Sequence, residues 1–317
     1  MTRIDVFNGD ADGLCSLQQL RLAQPGQTTL VTGVKRDIAL LGRVQAAAGD
    51  EVTVLDLSLD KNREPLRRLL DRGVRIRYFD HHFAGEIPRH PGLEAHIGNL
   101  PDQGTSLLVD AALGGRFRAW AVVGTFGDNF DQAARRAATP LGLATRELAN
   151  LRNLGIYLNY NGYGERIEDL HFPPEALFLR IAPYADPLEF IRNDEAFATL
   201  KAGFTDDMLR AGDADAELAT ARHALYILPA EPWARRVSGV LANDLARGVP
   251  DRAHALLTRR PDGGFVVSVR APLISPEGAD ALCRQFPTGG GRKAAAGINR
   301  LDEADYDTFV SAFREAF

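Results

Sequence analysis

Cysteine is scarce. Cys15 and Cys283 are the two in 317 residues, and they stand far apart. That excludes a disulfide framework, and each is expected to be a small buried hydrophobe rather than a reactive thiol. Positive charge is short as well: 37 Lys and Arg against 42 Asp and Glu give a net charge of −5. No overall basic field therefore draws in long duplex nucleic acid, although a short anionic ligand held by a few placed arginines is compatible with the balance. The opening residues MTRIDVFNGD lack the apolar core of a secretory leader, and no apolar run is long enough to span a bilayer. These absences point to a cytoplasmic protein without a membrane partner. Histidine is also rare, with 7 in the chain, yet His81 and His82 stand side by side directly after Asp80.

What is present is ordinary globular composition, 45% hydrophobic and 25% charged, in a chain long enough for two domains. Strand-like runs at RIDVF, TTLVTGV, EVTVLDL and VRIRYFD alternate with helical patterns: one over 14–22, one over 37–48, and REPLRRLLDRG. Spacings too long for hairpins imply a parallel sheet covered on both faces. After His82 the pattern becomes mainly helical, through GTSLLVDAAL, RAWAVVGTFGDN and a run over 145–158. From residue 223 a new alternation begins: HALYIL, a helix over 233–246, then AHALLTRR and GFVVSVRAP joined by PDGG as a hairpin, with helices near 276–285 and at the C-terminus. The expected fold class is α/β. An N-terminal parallel-sheet domain over residues 1–185 leads through a helical connector over 186–222 to a smaller α/β domain over 223–317.

In an open parallel sheet, residues just past the strand ends share one edge, where ligands bind. Asn8, Asp10 and Asp12 follow the first strand, Asp56 ends the third, and Asp80, His81 and His82 end the fourth. Asp128, in GTFGDN, sits on a loop that can return to the same edge. Acids in turns are often only helix caps, and Asp12 is a candidate cap for the first helix. So many acids converging on one crevice, however, require cations to offset their repulsion. Asp10, Asp12, Asp56 and Asp128 match two divalent ions, with Asp56 central enough to bridge them. The mixed oxygen and imidazole donors favour Mn2+, with Mg2+ or Co2+ as alternatives.

These segments resemble the DHH phosphoesterase superfamily, in its two-domain branch of RecJ-type exonucleases and nano-RNases. NGDADG is similar to that family's first motif, VLDLS to the second, FDHH to the third and GDN to the fourth. The resemblance implies that Asp10, Asp12, Asp56, His81 and Asp128 are metal ligands, that Asp80 orients a histidine, and that His82 lies near the metal or the scissile phosphate. RecJ-type relatives often have an acid where Asn8 stands, and nano-RNases a histidine where Val6 stands. Asn8 offers only a carbonyl oxygen and weakens one metal site. TGGGRKAAAGI, from Thr288, resembles the glycine-rich signature of the DHH-associated substrate-binding domain, with Arg292 where the family usually has histidine. Backbone N–H groups at Gly290 and Gly291 would approach a phosphate, and the small AAAG would open a helix. VVSVRAP resembles a strand of that domain, making Ser268 and Arg270 candidate ligand contacts.

The implied activity is metal-dependent hydrolysis of short oligonucleotides or linear dinucleotides to mononucleotides, by a monomer or homodimer. Alternatives are a RecJ-like single-strand exonuclease, a cyclic-dinucleotide phosphodiesterase, or a degenerate scaffold, which should have lost the carboxylates. GIYLNYNGYGERIEDLHF, from Gly155, interleaves tyrosines and asparagines, so Tyr160 and Asn161 are candidates to stack on a base and bond its edge. The competing reading is a helix end with buried tyrosines. His171 is expected to be structural.

Overall fold

The structure is a computed structural model that describes residues 1–98, 100 and 102–317. The chain divides into two compact units, Met1–Ala202 and Gly203–Phe317. In the first, β1 (Arg3–Phe7), α1 (Ala11–Ala23), β2 (Thr29–Val31), β3 (Glu51–Leu55), α2 (Arg63–Asp71), β4 (Arg75–Asp80) and β5 (Leu93–Ile97) form a wound sheet with its crossovers. The strand order is β2-β1-β3-β4-β5, and every pairing is parallel. Helices follow: α3 (Thr105–Ala112), α4 (Arg118–Gly127), α5 (Asp131–Ala138), α6 (Thr145–Gly162), α7 (Pro174–Ile181), α8 (Pro187–Asn193) and α9 (Glu195–Gly212), the last of which contains the division between the units.

The α/β class is as the sequence implies. The strands are apolar runs whose inner residues, Val6, Val54 and Tyr78 among them, are buried with Leu66, Leu69 and Leu70 of α2. α2 alternates those leucines with exposed charge, the pattern of a helix covering one sheet face. α1 differs: Ala11 to Leu20 are all buried, so it runs through the middle of the unit. Its internal amides donate to distant backbone, Gln18 Nε2 to Tyr184 O at 2.8 Å and Gln19 Nε2 to Ser106 O at 3.1 Å. Both cysteines are buried.

One expectation fails here. The helix over 37–48 is a single 3-10 turn, Leu40–Arg43. Its apolar residues Leu40, Leu41 and Val44 pack on the sheet without a continuous helix. The stretch after His82 is mainly helical, as the pattern implies, after β5 has extended the sheet by an edge strand whose residues are all at least partly exposed.

The second unit contains β6 (Ala216–Ala219), β7 (His223–Leu228), α10 (Pro232–Gly248), β8 (Ala253–Arg259), β9 (Phe265–Arg270), α11 (Ala279–Cys283), β10 (Gly289–Gly291), β11 (Ala295–Leu301) and α12 (Tyr306–Ala316). Its sheet has the order β10-β11-β9-β8-β7-β6, with β7 and β8 parallel and the other pairings antiparallel. Leu257, Val267, Ile298, Phe309 and Phe313 lie in its core. The glycine-rich segment is a hairpin here. Arg292 and Ala295 exchange backbone hydrogen bonds at 2.9 and 3.1 Å, so AAAG opens β11 rather than the expected helix. Close approach explains the run's first glycine: a Cβ on Gly289 would stand 1.7 Å from Cys283 O.

Gly13 is under the same constraint at the start of α1, where a Cβ would lie 2.1 Å from Asn8 O. Gly13→Ala is expected to cost about 1–3 kcal/mol or more through overpacking. Thermal denaturation should show a clear fall in Tm, while Gly248→Ala, whose Cβ would meet nothing within 4 Å, should leave it unchanged or slightly raised.

Candidate metal centre

The carboxyl edge of the five-stranded sheet gathers the acids. Asp10 is the N-cap of α1, its Oδ1 accepting from Gly13 N at 3.0 Å. Asp12, two residues on in the first turn, does not cap its own helix. Its oxygens receive the backbone N–H groups of Thr105 at 2.6 Å and Ser106 at 2.9 Å, at the start of α3. Asp56 ends β3 in a left-handed backbone conformation with φ of 58°, which carries strain in a non-glycine residue and is typical of functional positions. Its Oδ1 accepts from Thr105 Oγ1 at 3.0 Å. Asp128 is the C-cap of α4, where its charge meets the negative end of the helix dipole.

His81 completes the group: its Nε2 is 3.5 Å from Asp56 Oδ1 and 3.5 Å from Asp128 Oδ2. One ligand atom from each of Asp12, Asp56, His81 and Asp128 lies within 4.8 Å of all the others, and Asp56, His81 and His82 form an overlapping set. Three carboxylates and one imidazole from four separate segments suit a hard-to-borderline divalent cation. His82 sits at the rim of the group, its Nδ1 2.7 Å from Asp80 Oδ1 and 3.9 Å from Asp56 Oδ1, with 45% of its side chain exposed. Asp80 thus orients His82 and not His81, and its Oδ2 is buried without a hydrogen-bond partner.

The electrostatics reflect the crowding. Burial, reinforced by the charges of Asp56 and Asp128, pushes the Asp12 carboxyl up to about 8. Burial and then Asp10 raise Asp56 to about 6. Burial opposes charge on His81, but Asp56, Asp128 and Asp12 together outweigh it and raise its pKa to about 10. In the ion-free protein, protons take the place of a cation.

Sequence reasoning missed Lys35. Its ammonium bonds Asp10 Oδ2 and Asn159 Oδ1, the latter at 2.8 Å, and stands 3.3 Å from Asp128 Oδ1. The sheet-edge rule, applied to the residues after β2, would have found it. Asn8 is buried; its Nδ2 donates to Lys35 O at 3.3 Å and its Oδ1 has no hydrogen-bond partner.

The tyrosine-asparagine segment reaches the site, but through other residues than expected. Tyr160 is fully buried with its hydroxyl 2.7 Å from His171 Nε2, and Asn161 is fully buried, bonding the backbone of Phe172 in both directions. Neither presents a face to a base, which corrects the stacking assignment. His171 serves structure, as expected. Asn159 and Tyr163, whose ring centroid is 5.5 Å from Lys35 Nζ, are the members that face the site.

The remaining candidates lie in the second unit. Arg270, at the end of β9, donates from Nε to Asn243 Oδ1 at 2.7 Å. Ser268 is buried on the same strand, opposite Gly297 of β11. Gly290 and Gly291 pair with Gly297 and Ala296, and Arg292 is exposed at the hairpin tip.

Ligation requires a neutral imidazole and ionised carboxylates, so a bound cation must expel the protons that Asp12 and His81 retain. Mn2+ affinity should therefore rise with pH between about 6 and 8, by up to about tenfold per unit for each proton released. Calorimetry in buffers of different ionisation enthalpy should register that release, and Asp56→Asn should abolish it. Affinity independent of pH would contradict this assignment of the ligands.

No family model matches the sequence, and no curated protein matches it. Solved structures do. A manganese-bound RecJ exonuclease superposes with a TM-score of 0.62 and 20% identity, over 99% of this chain and 89% of that one. RecJ from Thermus thermophilus with Mn2+ gives 0.64 and 21%, over 99% of this chain and 51% of the other, so the chain spans about half that protein's length. The pGpG-specific phosphodiesterase PggH from Vibrio cholerae gives 0.55 and 14%, with complete coverage of both chains. At such identities the likeness is one of fold, and the chain is built on the DHH-type fold.

Proposed function

We propose that the protein is a metal-dependent phosphodiesterase that hydrolyses short oligonucleotides or linear dinucleotides to mononucleotides. The observation that carries this reading is the convergence of Asp12, Asp56, His81 and Asp128 ligand atoms within 4.8 Å of one another. The activities named for RecJ and PggH, an exonuclease and a pGpG phosphodiesterase, support the substrate class. Mn2+ is the favoured ion, with Mg2+ or Co2+ as alternatives.

When bound there, a divalent cation supplies Lewis acidity toward a phosphoryl oxygen and a water. The chain's own groups do the rest. Asp80 fixes His82 through Nδ1, which leaves Nε2 to bond a phosphoryl oxygen or carry a proton to the departing hydroxyl. Phe83, next in sequence and 79% exposed, offers an apolar face beside that histidine. In the second unit, Arg270, Arg292 and the backbone at Gly290 and Gly291 are the groups proposed to bind a phosphate. Net negative charge fits short substrates better than polymers, because a long strand needs many basic contacts.

With purified protein and Mn2+, 5′-phosphorylated dinucleotides should yield mononucleotides. Asp56→Asn should lower turnover at least about a hundredfold, with an unchanged circular dichroism spectrum. A length series at several salt concentrations separates the second reading, an exonuclease favoured by the RecJ likeness: activity rising with strand length and falling steeply with salt would select it. Mn2+-independent turnover, or equal turnover by Asp56→Asn, would refute the metal-dependent reading.

A further inference from the structure

Lys35 belongs to no motif read from the sequence, yet its ammonium lies among the carboxylates. β2 delivers it to the carboxyl edge of the sheet, as β1, β3 and β4 deliver the acids. Its backbone is pinned on both sides: Lys35 N donates to Gly162 O at 2.8 Å, and Lys35 O accepts from Asn8 Nδ2 at 3.3 Å. The side chain is only 21% exposed, so this is a built contact rather than a solvated arm.

The acceptors it uses are those a second cation would need. Asp10 has Oδ1 on Gly13 N and Oδ2 on Lys35 Nζ. Asn8 Oδ1, buried without a hydrogen-bond partner, is a neutral oxygen and brings no charge. Asp128 is divided between the two positions, with Oδ1 3.3 Å from Lys35 Nζ and Oδ2 3.5 Å from His81 Nε2. A shared carboxylate of this kind is what joins the two cations of a binuclear centre.

We propose that the centre takes one divalent cation, at Asp12, Asp56, His81 and Asp128, and that Lys35 Nζ stands in place of a second. The inference rests on the metal reading above and fixes its stoichiometry. An ammonium neutralises carboxylates and donates hydrogen bonds, but it does not acidify a water as a divalent ion does. Lys35 is thus a positioning residue, a fixed charge that orders Asp10 and Asp128, and water activation falls to the single ion.

The test is a Mn2+ titration of the full chain by calorimetry, with low-temperature electron paramagnetic resonance on the same samples. The unaltered protein should bind one tight equivalent and show an isolated Mn2+ signal. Lys35→Ala should gain a second equivalent and an exchange-coupled signal. If that variant does not fold, Lys35→Gln, neutral and of similar reach, replaces it; if neither folds, the wild-type stoichiometry decides. Two tight equivalents in the unaltered chain would overturn the inference and leave the phosphodiesterase reading standing. One equivalent persisting in a folded Lys35 variant would overturn it too, because something other than the lysine would exclude the second ion. No binding at all would remove both readings together.

Discussion

Carboxylates packed within a few ångströms of each other cannot all stay ionised in a dry pocket, and the first unit is organised around that constraint. At about 4 Å and an effective dielectric constant near 20, each like-charge pair costs about 4 kcal/mol. A few such pairs would consume the whole net stability of a typical domain, about 5–15 kcal/mol. Positive charge has to be supplied, by protons, by Lys35 or by a divalent ion. The raised pKa values of Asp12, Asp56 and His81 and the lysine placed against Asp10 are responses to the same field.

Each acid is held where it is by backbone chemistry, which is why the group cannot simply disperse. Asp10 is tied to α1 by its capping bond, and Asp12 to α3 by two backbone N–H groups. Both positions lie at helix N-termini, where negative charge is favoured. Asp56 is aimed by a left-handed residue at the end of a strand, and that conformation persists only because the surrounding sheet fixes both sides of it. Asp128 is the exception, since it caps the C-terminal end of α4, whose dipole repels it. It faces Lys35 and His81 at once.

The alternation of apolar strands with amphipathic helices made the sheet legible, and the sheet-edge rule then made Asp10, Asp56, His81 and Asp128 legible. β5 was not, because LEAHI is a short edge strand with polar residues and too little burial to produce a run. The segment over 37–48 has helix-like spacing, but Leu40, Leu41 and Val44 reach the core from a single tight turn, and spacing alone does not distinguish the two. Tyr160 and Asn161 misled for a related reason: an aromatic-amide pattern carries chemistry but no depth, and only packing shows which members of α6 face the site. The same edge rule reaches Lys35 after β2, but a single lysine carries no motif, and its role depends on three acceptors from distant segments.

Asn8 and Lys35 are best understood as one feature. The Asn8 amide donates to the carbonyl of Lys35, which an acid at that position could not do in its ionised form. A carboxylate there would set its charge against that carbonyl oxygen and loosen the loop that presents the lysine. An amide secures the loop but gives up one unit of negative charge that a second metal ion would have used. The departure from the acid-bearing first motif and the arrival of an ammonium at the same edge therefore require each other. Restoring an acid at residue 8 while keeping Lys35 would add charge without freeing Asp10, so loss of the lysine is the change that opens the second position and an acid at residue 8 would only strengthen it.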